Sequence, residues 1–227
     1  MKFFSFFKKN LIIFSIYILL IIIAVVFYGL IIHLPLAKSV AHFLDLIRQV
    51  APLSLVSLGQ TLVLLVGGID LSVGAVASLS YILSANFMKG EASLIPISVA
   101  LTLAICILIG FISGFVIVKL KIPPFLVTLA MSSVIRGSYL LYTGGAPRGD
   151  IAEEFRFIAN KWIGPPVGNS PGVFPVAGLV WLSIFIILLF VINKTVFGVE
   201  LYAVGGNPRT AWLSGFNPGN FTIGIYM

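Results

Sequence analysis

Charge is scarce in this sequence of 227 residues, at 9 % Asp, Glu, Lys and Arg. A soluble domain carries about 25 %, so a water-facing surface of this size cannot be covered and a water-soluble protein is excluded. Acidic residues are the scarcest, 7 against 14 Lys and Arg. Cysteine is nearly absent: Cys106 stands alone in an apolar run, which excludes a disulfide-stapled secreted scaffold. His33 and His42 have no Cys or carboxylate partner at ligand spacing, so no metal site is expected. The sequence also lacks G-x-x-x-x-G-K-[ST], and with it any phosphate-cradling loop for ATP hydrolysis in this chain. No paired carboxylates and no Ser/His/Asp set point to an enzyme.

What the sequence has is apolar length: 59 % hydrophobic residues and a mean hydropathy of +1.15. The basic excess resembles a nucleic-acid signature only until the charges are located. They lie between long apolar segments, as in a membrane protein, so lipid and not nucleic acid is the expected surroundings. A spanning helix needs about 20 mostly apolar residues. That length predicts an all-α, polytopic helical membrane protein with about six transmembrane helices and the start of a seventh. The expected spans are residues 11–32, 47–66, 71–88, 95–118, 124–142 and 173–192, with a last one beginning at 221. The first is too long for a signal-peptide core of about 7–15 residues and is expected to be a retained anchor. In the fourth, Gly110 and Gly114 form a G-x-x-x-G pair that lets a neighbouring helix approach closely.

Orientation follows from the loops. With a cytoplasmic N-terminus, the inside stretches hold Lys2, Lys8, Lys9, Lys119, Lys121, Lys194 and Arg209 against Glu200 alone. The outside stretches hold Lys38, Arg48, Lys89, Arg148, Arg156 and Lys161 against Asp45, Glu91, Asp150, Glu153 and Glu154. The bias is positive-inside. It assigns residues 194–220 to the cytoplasm and 143–172 to the outside, where a loop of that length is expected to lie over the outer mouth.

Two regions are candidates for function. The first is the Gly67-Gly68-Ile69-Asp70 turn between the second and third spans. Asp70 reads either as a helix N-cap whose carboxylate accepts backbone N–H bonds or as a solute contact, because an ionisable group at membrane depth is costly. Gln60, Gly67, Gly68, Asp70, Ser72 and Arg136 are the candidates for the helix break or a translocation pathway. Arg136 has three readings: it snorkels to the outer interface, pairs with an acid of the outer loop, or lines the path. The second region runs from Glu200 to Asn217. Gly205-Gly206-Asn207-Pro208 reads as a turn, and residues 209–214 as about two helical turns ending at Gly215. Trp212 and Leu213 then face either a partner's groove or the membrane interface.

These residues carry a family resemblance. Gln60-Thr-Leu-Val-Leu-Leu-Val-Gly-Gly-Ile-Asp-Leu-Ser-Val-Gly74 resembles the signature of ribose-type ABC importer permeases. Lys121-Ile-Pro-Pro-Phe-Leu-Val-Thr-Leu129 is similar to that family's mid-protein helix start, and Arg136-Gly137 with Thr143-Gly-Gly-Ala-Pro147 to the end of that helix. Tyr202-Ala-Val-Gly-Gly-Asn207 with Leu213-Ser-Gly215 is similar to its cytoplasmic loop. The resemblance implies the permease domain of a binding-protein-dependent importer in the bacterial inner membrane. A second permease subunit, identical or paired, would complete the path, and a substrate-binding protein would deliver a small polar solute, a monosaccharide such as ribose or xylose. Two ATP-binding cassette subunits would use ATP and Mg, with no cofactor bound by this chain. Gly205, Gly206, Asn207, Arg209, Ala211, Leu213, Ser214 and Gly215 would form the ATPase-coupling loop. Family permeases continue through further spans, so residues 1–227 are expected to be the N-terminal part of one permease domain. The alternatives are a truncated, inactive or partner-dependent fragment of such a permease, and a secondary carrier or channel.

Overall fold

A computed structural model describes residues 11–26, 36–146 and 149–227 of the chain. In chain order it contains α1 (Leu11–Val26), α2 (Leu36–Leu65), α3 (Val73–Met88), α4 (Ile95–Leu120), α5 (Pro124–Thr143), α6 (Glu153–Asn160), β1 (Trp162–Ile163), β2 (Phe174–Pro175), α7 (Val176–Lys194), α8 (Val196–Gly206), α9 (Pro208–Leu213) and α10 (Pro218–Tyr226). A single 3-10 turn, Ala92–Leu94, leads into α4. Among the described residues, four helices are long and apolar enough to cross a membrane: Val40–Leu65, Ala92–Leu120, Pro124–Thr143 and Val176–Lys194.

Several boundaries differ from the expectation. The second span is expected over 47–66, yet α2 runs for 30 residues from Leu36, about 45 Å at 1.5 Å per residue. A hydrocarbon core of about 30 Å accounts only for its apolar part. The charged turns holding Lys38, Asp45 and Arg48 are helical without being hydrophobic. Within the same helix stands Pro52, a breaker that membrane helices tolerate because neighbouring groups re-satisfy the freed carbonyl. The third span shortens to the 16 residues of α3, about 24 Å, because Leu71 and Ser72 belong to the break before it. The sixth starts at Val176 instead of 173, since Phe174 and Pro175 form a strand that pairs with Trp162–Ile163. For the first span only Leu11–Val26 is described. The remainder lies outside the described residues, as do Lys2, Lys8, Lys9, His33 and Arg148.

The chain is organised as two compact units. One comprises the described residues of Met1–Ile47 with Trp162–Pro175, and holds the β1–β2 hairpin. The other comprises Arg48–Lys161 and Val176–Met227. In this larger unit α3 offers Ala75, Leu79 and Leu83 on one face, a helical i, i+4, i+8 row, packed with Ile135 of α5 and bordered by Ile105 and Ile109 of α4. A second cluster joins Val63, Ile117, Val127 and Tyr226 from α2, α4, α5 and α10. Most other large apolar side chains, including Ile186, Ile187 and Phe190 of α7, are exposed, as lipid-facing residues are.

The G-x-x-x-G pair of α4 seats α10. A methyl group at Gly110 would lie 2.0 Å from the Tyr226 carbonyl oxygen, and one at Gly114 would lie 2.9 Å from Ile223 Cα. Only hydrogen at both positions permits that approach. At the other end of the unit, Gly90 N–H donates to Asp150 O at 2.9 Å and Asn86 Nδ2 donates to the Tyr142 hydroxyl at 2.8 Å. The turn after α3 and the loop after α5 therefore share one end, while the break before α3 shares the opposite end with the start of α5.

Candidate functional site

The break begins where α2 runs into two glycines. Gly67 N–H reaches Leu64 O at 3.0 Å and Gly68 N–H reaches Val63 O at 2.9 Å, so the last turn is closed with Gly67 at φ +83°. That left-handed geometry is one a side chain adopts only at a cost. Gly68 is buried under α10: a methyl there would meet the Tyr226 hydroxyl at 2.2 Å.

Asp70 stands two residues before the helix cap, which is Ser72. Its Oδ1 accepts from Ser72 N–H at 2.7 Å and from the Ser72 hydroxyl at 2.6 Å. The carboxylate thus closes an Asx turn, and the Ser72 side chain makes no cap bond of its own. The cap register read from the sequence is shifted by two residues, because Asp70 uses its acceptor on the turn and not on the first helical N–H groups.

The other strut of the break comes from α5. Leu71 N–H donates to Thr128 Oγ1 at 3.0 Å, and the Thr128 proton lies within reach of the carbonyls of Ile69 at 3.1 Å and Pro124 at 3.0 Å. Thr128 is fully buried. Non-helical backbone at membrane depth needs such partners, because an unmet N–H or C=O there costs several kcal/mol. Sequence reasoning did not select Thr128 as a site residue. Its signal was a hydroxyl in the otherwise apolar run after Pro123-Pro124, four residues into the helix.

Two further polar atoms lie on the helices that meet at this region, the Tyr226 hydroxyl directly over Gly68. Gln60 Oε1 on α2 and the Tyr226 hydroxyl on α10 are buried with no hydrogen-bond partner among the described residues. Tyr226, like Thr128, is not among the residues that the sequence alone singles out. Arg136 is not brought to the break. It sits eight residues after Thr128 on α5, about 12 Å along the axis, is exposed, and makes no ion pair among the described residues. Pairing with the outer-loop acid Asp150 is not what the structure shows: Asp150 pairs with Arg156.

The second region folds as a helix–turn–helix tip. Gly205 and Gly206 are the last residues of α8 and not a turn. The reversal falls on Asn207 (φ −158°, ψ 101°), whose Oδ1 accepts from Arg209 N–H at 3.0 Å and Thr210 N–H at 3.1 Å to cap α9. Pro208 takes the first helical position, where its missing N–H costs nothing. The Ser214 hydroxyl donates back to Thr210 O at 3.0 Å, and Gly215 leaves the helix at φ +92°. In this six-residue helix Ala211 is 2 % exposed while Trp212 and Leu213 are 66 % and 71 % exposed. The base of the tip is clamped: a methyl at Gly205 would lie 1.8 Å from Leu65 O, two residues before Gly67. The two candidate regions are therefore in direct backbone contact. Among the described residues no cluster of three His, Cys, Asp or Glu is placed to hold a metal ion.

Comparison with known proteins finds the chain similar to sugar import permeases. The chain is 35 % identical over 185 residues to the ribose import permease of Bacillus subtilis, covering 82 % of this chain and 55 % of that one. It is 34 % identical over 183 residues to the fructose import permease of Rhizobium meliloti, covering 80 % and 50 %. It is 31 % identical over 244 residues to the galactose/methyl galactoside import permease of Haemophilus influenzae, covering 100 % and 68 %. The chain spans about half the length of the first two relatives. No solved structure matches it. Residues 42–227 match the family described as branched-chain amino acid transport system / permease component, and the chain, a multi-pass membrane protein, belongs to that family.

Proposed function

We propose that this chain works in the bacterial inner membrane, N-terminus in the cytoplasm, as a permease subunit of a binding-protein-dependent ABC importer for a neutral monosaccharide. The observation that carries this reading is the contact of Gly205 with Leu65, which ties an exposed Trp212–Leu213 tip to a helix break. A partner ATPase subunit that grips the tip moves α8, and α8 bears directly on the end of α2. ATP and Mg act on that partner chain. A second permease subunit completes the path and a binding protein loads it from outside.

The substrate reading rests on polarity without free charge at the helix break. The Asp70 carboxylate is already occupied by Ser72, whereas Gln60 Oε1 and the Tyr226 hydroxyl have unmet hydrogen-bonding capacity suited to hydroxyl groups. The relatives named for ribose, fructose and galactose favour a sugar over the amino acid in the family's description. The test is uptake of labelled ribose, fructose and galactose into vesicles holding this chain with its neighbouring ATPase and binding protein. Uptake that requires ATP and survives collapse of ion gradients is expected. Uptake that follows an ion gradient and persists without the ATPase overturns the reading.

A further inference from the structure

A groove of about 330 Å³ runs between the end of α4 and the first half of α5, and every side chain that lines it is apolar. Val116, Ile122 and Val127 form its floor, within or packed against the cluster shared by α2, α4, α5 and α10. Leu126, Ala130 and Val134 form its rim, a row at steps of four along one face of α5 that extends about 12 Å. All three are exposed. The groove ends at the α4–α5 turn, where two lysines stand. Lys119 follows Val116 by three residues on α4 and shares its helix face, and Lys121 directly precedes Ile122. Both are exposed, and neither side chain makes an ion pair or hydrogen bond among the described residues. Lys121 caps α4 at φ +56°, a left-handed position that glycine usually takes.

Groove and lysines together select an occupant. A polar solute would leave its own groups unmet against a wall without donors or acceptors. A second copy of the chain would bring like charge to the same depth, because the loops on that side hold Lys119, Lys121, Lys194 and Arg209 against Glu200 alone. A molecule with an apolar tail and an anionic head satisfies both parts. The tail lies along the rim of α5, and the two long lysine side chains reach a phosphate at the headgroup level. Basic pockets between membrane helices suit such head groups. We propose that this groove binds one acyl chain of an anionic phospholipid whose phosphate is held by Lys119 and Lys121. The site adjoins the helix break, since Val127 precedes Thr128, which bonds to Ile69 and Leu71. It depends neither on the sugar reading nor on which side of the membrane is cytoplasmic.

The test is native mass spectrometry of the full chain in detergent, titrated with phosphatidylglycerol or with phosphatidylcholine of the same acyl chains. The parent is expected to retain one phosphatidylglycerol at least tenfold more tightly than phosphatidylcholine. Replacing both lysines, Lys119→Gln with Lys121→Gln, is expected to remove that preference. Ala130→Trp, which fills the groove, is expected to weaken phosphatidylglycerol retention tenfold or more with both lysines in place. Should Ala130→Trp fail to insert, Val134→Trp decides, because Val134 is 62 % exposed and a larger side chain there leaves the core untouched. Equal retention of the two lipids by the parent overturns the proposal, as does a preference that survives the double lysine variant. A preference lost with the lysines but unchanged by the inserted tryptophan variant marks adsorption to surface charge and overturns the groove. A dimer that Ala130→Trp or Val134→Trp dissociates, with no lipid preference in the parent, assigns the groove to a second copy and overturns the proposal as well.

Discussion

Gly205 and Leu65 touch through their backbones: the Leu65 carbonyl oxygen occupies the space a Gly205 side chain would need, 1.8 Å from where a methyl would sit. Gly206, the next residue, has nothing within 4 Å of the same position. Two adjacent glycines in one motif thus have different duties. One allows a close crossing of α8 over the end of α2, and the other leaves its surroundings open.

Gly205→Ala is expected to force α8 away from α2 and cost about 1–3 kcal/mol, the usual range for overpacking. Gly206→Ala is expected to be near neutral or slightly stabilising, since alanine favours a helix over glycine by about 1 kcal/mol. Thermal unfolding of the two variants in detergent, side by side, checks the pair. Equal losses at both positions would contradict the crossing.

Thr128→Val keeps the shape and removes the hydroxyl that braces the break. Leu71 N–H loses its acceptor and Ile69 O its donor, and a buried unmet group costs about 1–3 kcal/mol. Lower thermal stability is expected for Thr128→Val, with Thr128→Ser close to the parent because its hydroxyl reaches the same partners. A neutral Thr128→Val would show that the break is held by other groups.

Asp70→Asn retains an oxygen for Ser72 N–H and the Ser72 hydroxyl, so most transport and nearly all stability are expected to survive. Asp70→Ala removes the turn and is expected to cost about 0.5–2 kcal/mol, the range for losing a side-chain cap. Uptake assays alongside melting curves separate the roles: loss of transport in a well-assembled Asp70→Asn variant would assign the charge a direct part in moving solute.

Much of this architecture was legible where hydropathy and breakers speak together. Pro124 and Gly144 bracket α5, and the uncharged run from Ile95 announces α4. Elsewhere the signal measured the bilayer and not the helix. The eleven residues before Ile47 are helical though too polar for hydrocarbon, and Val173–Pro175 are apolar yet belong to a hairpin. The site was legible only in its local parts. Asn207 and Pro208 declare the start of α9 through capping chemistry, while Gly205-Gly206 reads as a turn because glycine pairs mark turns and close helix crossings alike. The bond from Leu71 to Thr128 joins residues 57 positions apart, and the Tyr226 hydroxyl over Gly68 joins two motifs whose meeting only the packed helices reveal.

In the function proposed above, the exposed tip of α9 engages a partner ATPase and drives the break through α8. Leu213 is 71 % exposed and belongs to neither apolar cluster, so Leu213→Glu is expected to leave the chain's own packing intact. The measurement is substrate-stimulated ATP hydrolysis by the complex assembled with this variant, with membrane insertion checked in the same preparation. Loss of stimulation with normal insertion is predicted. Stimulation equal to the parent's would contradict the account.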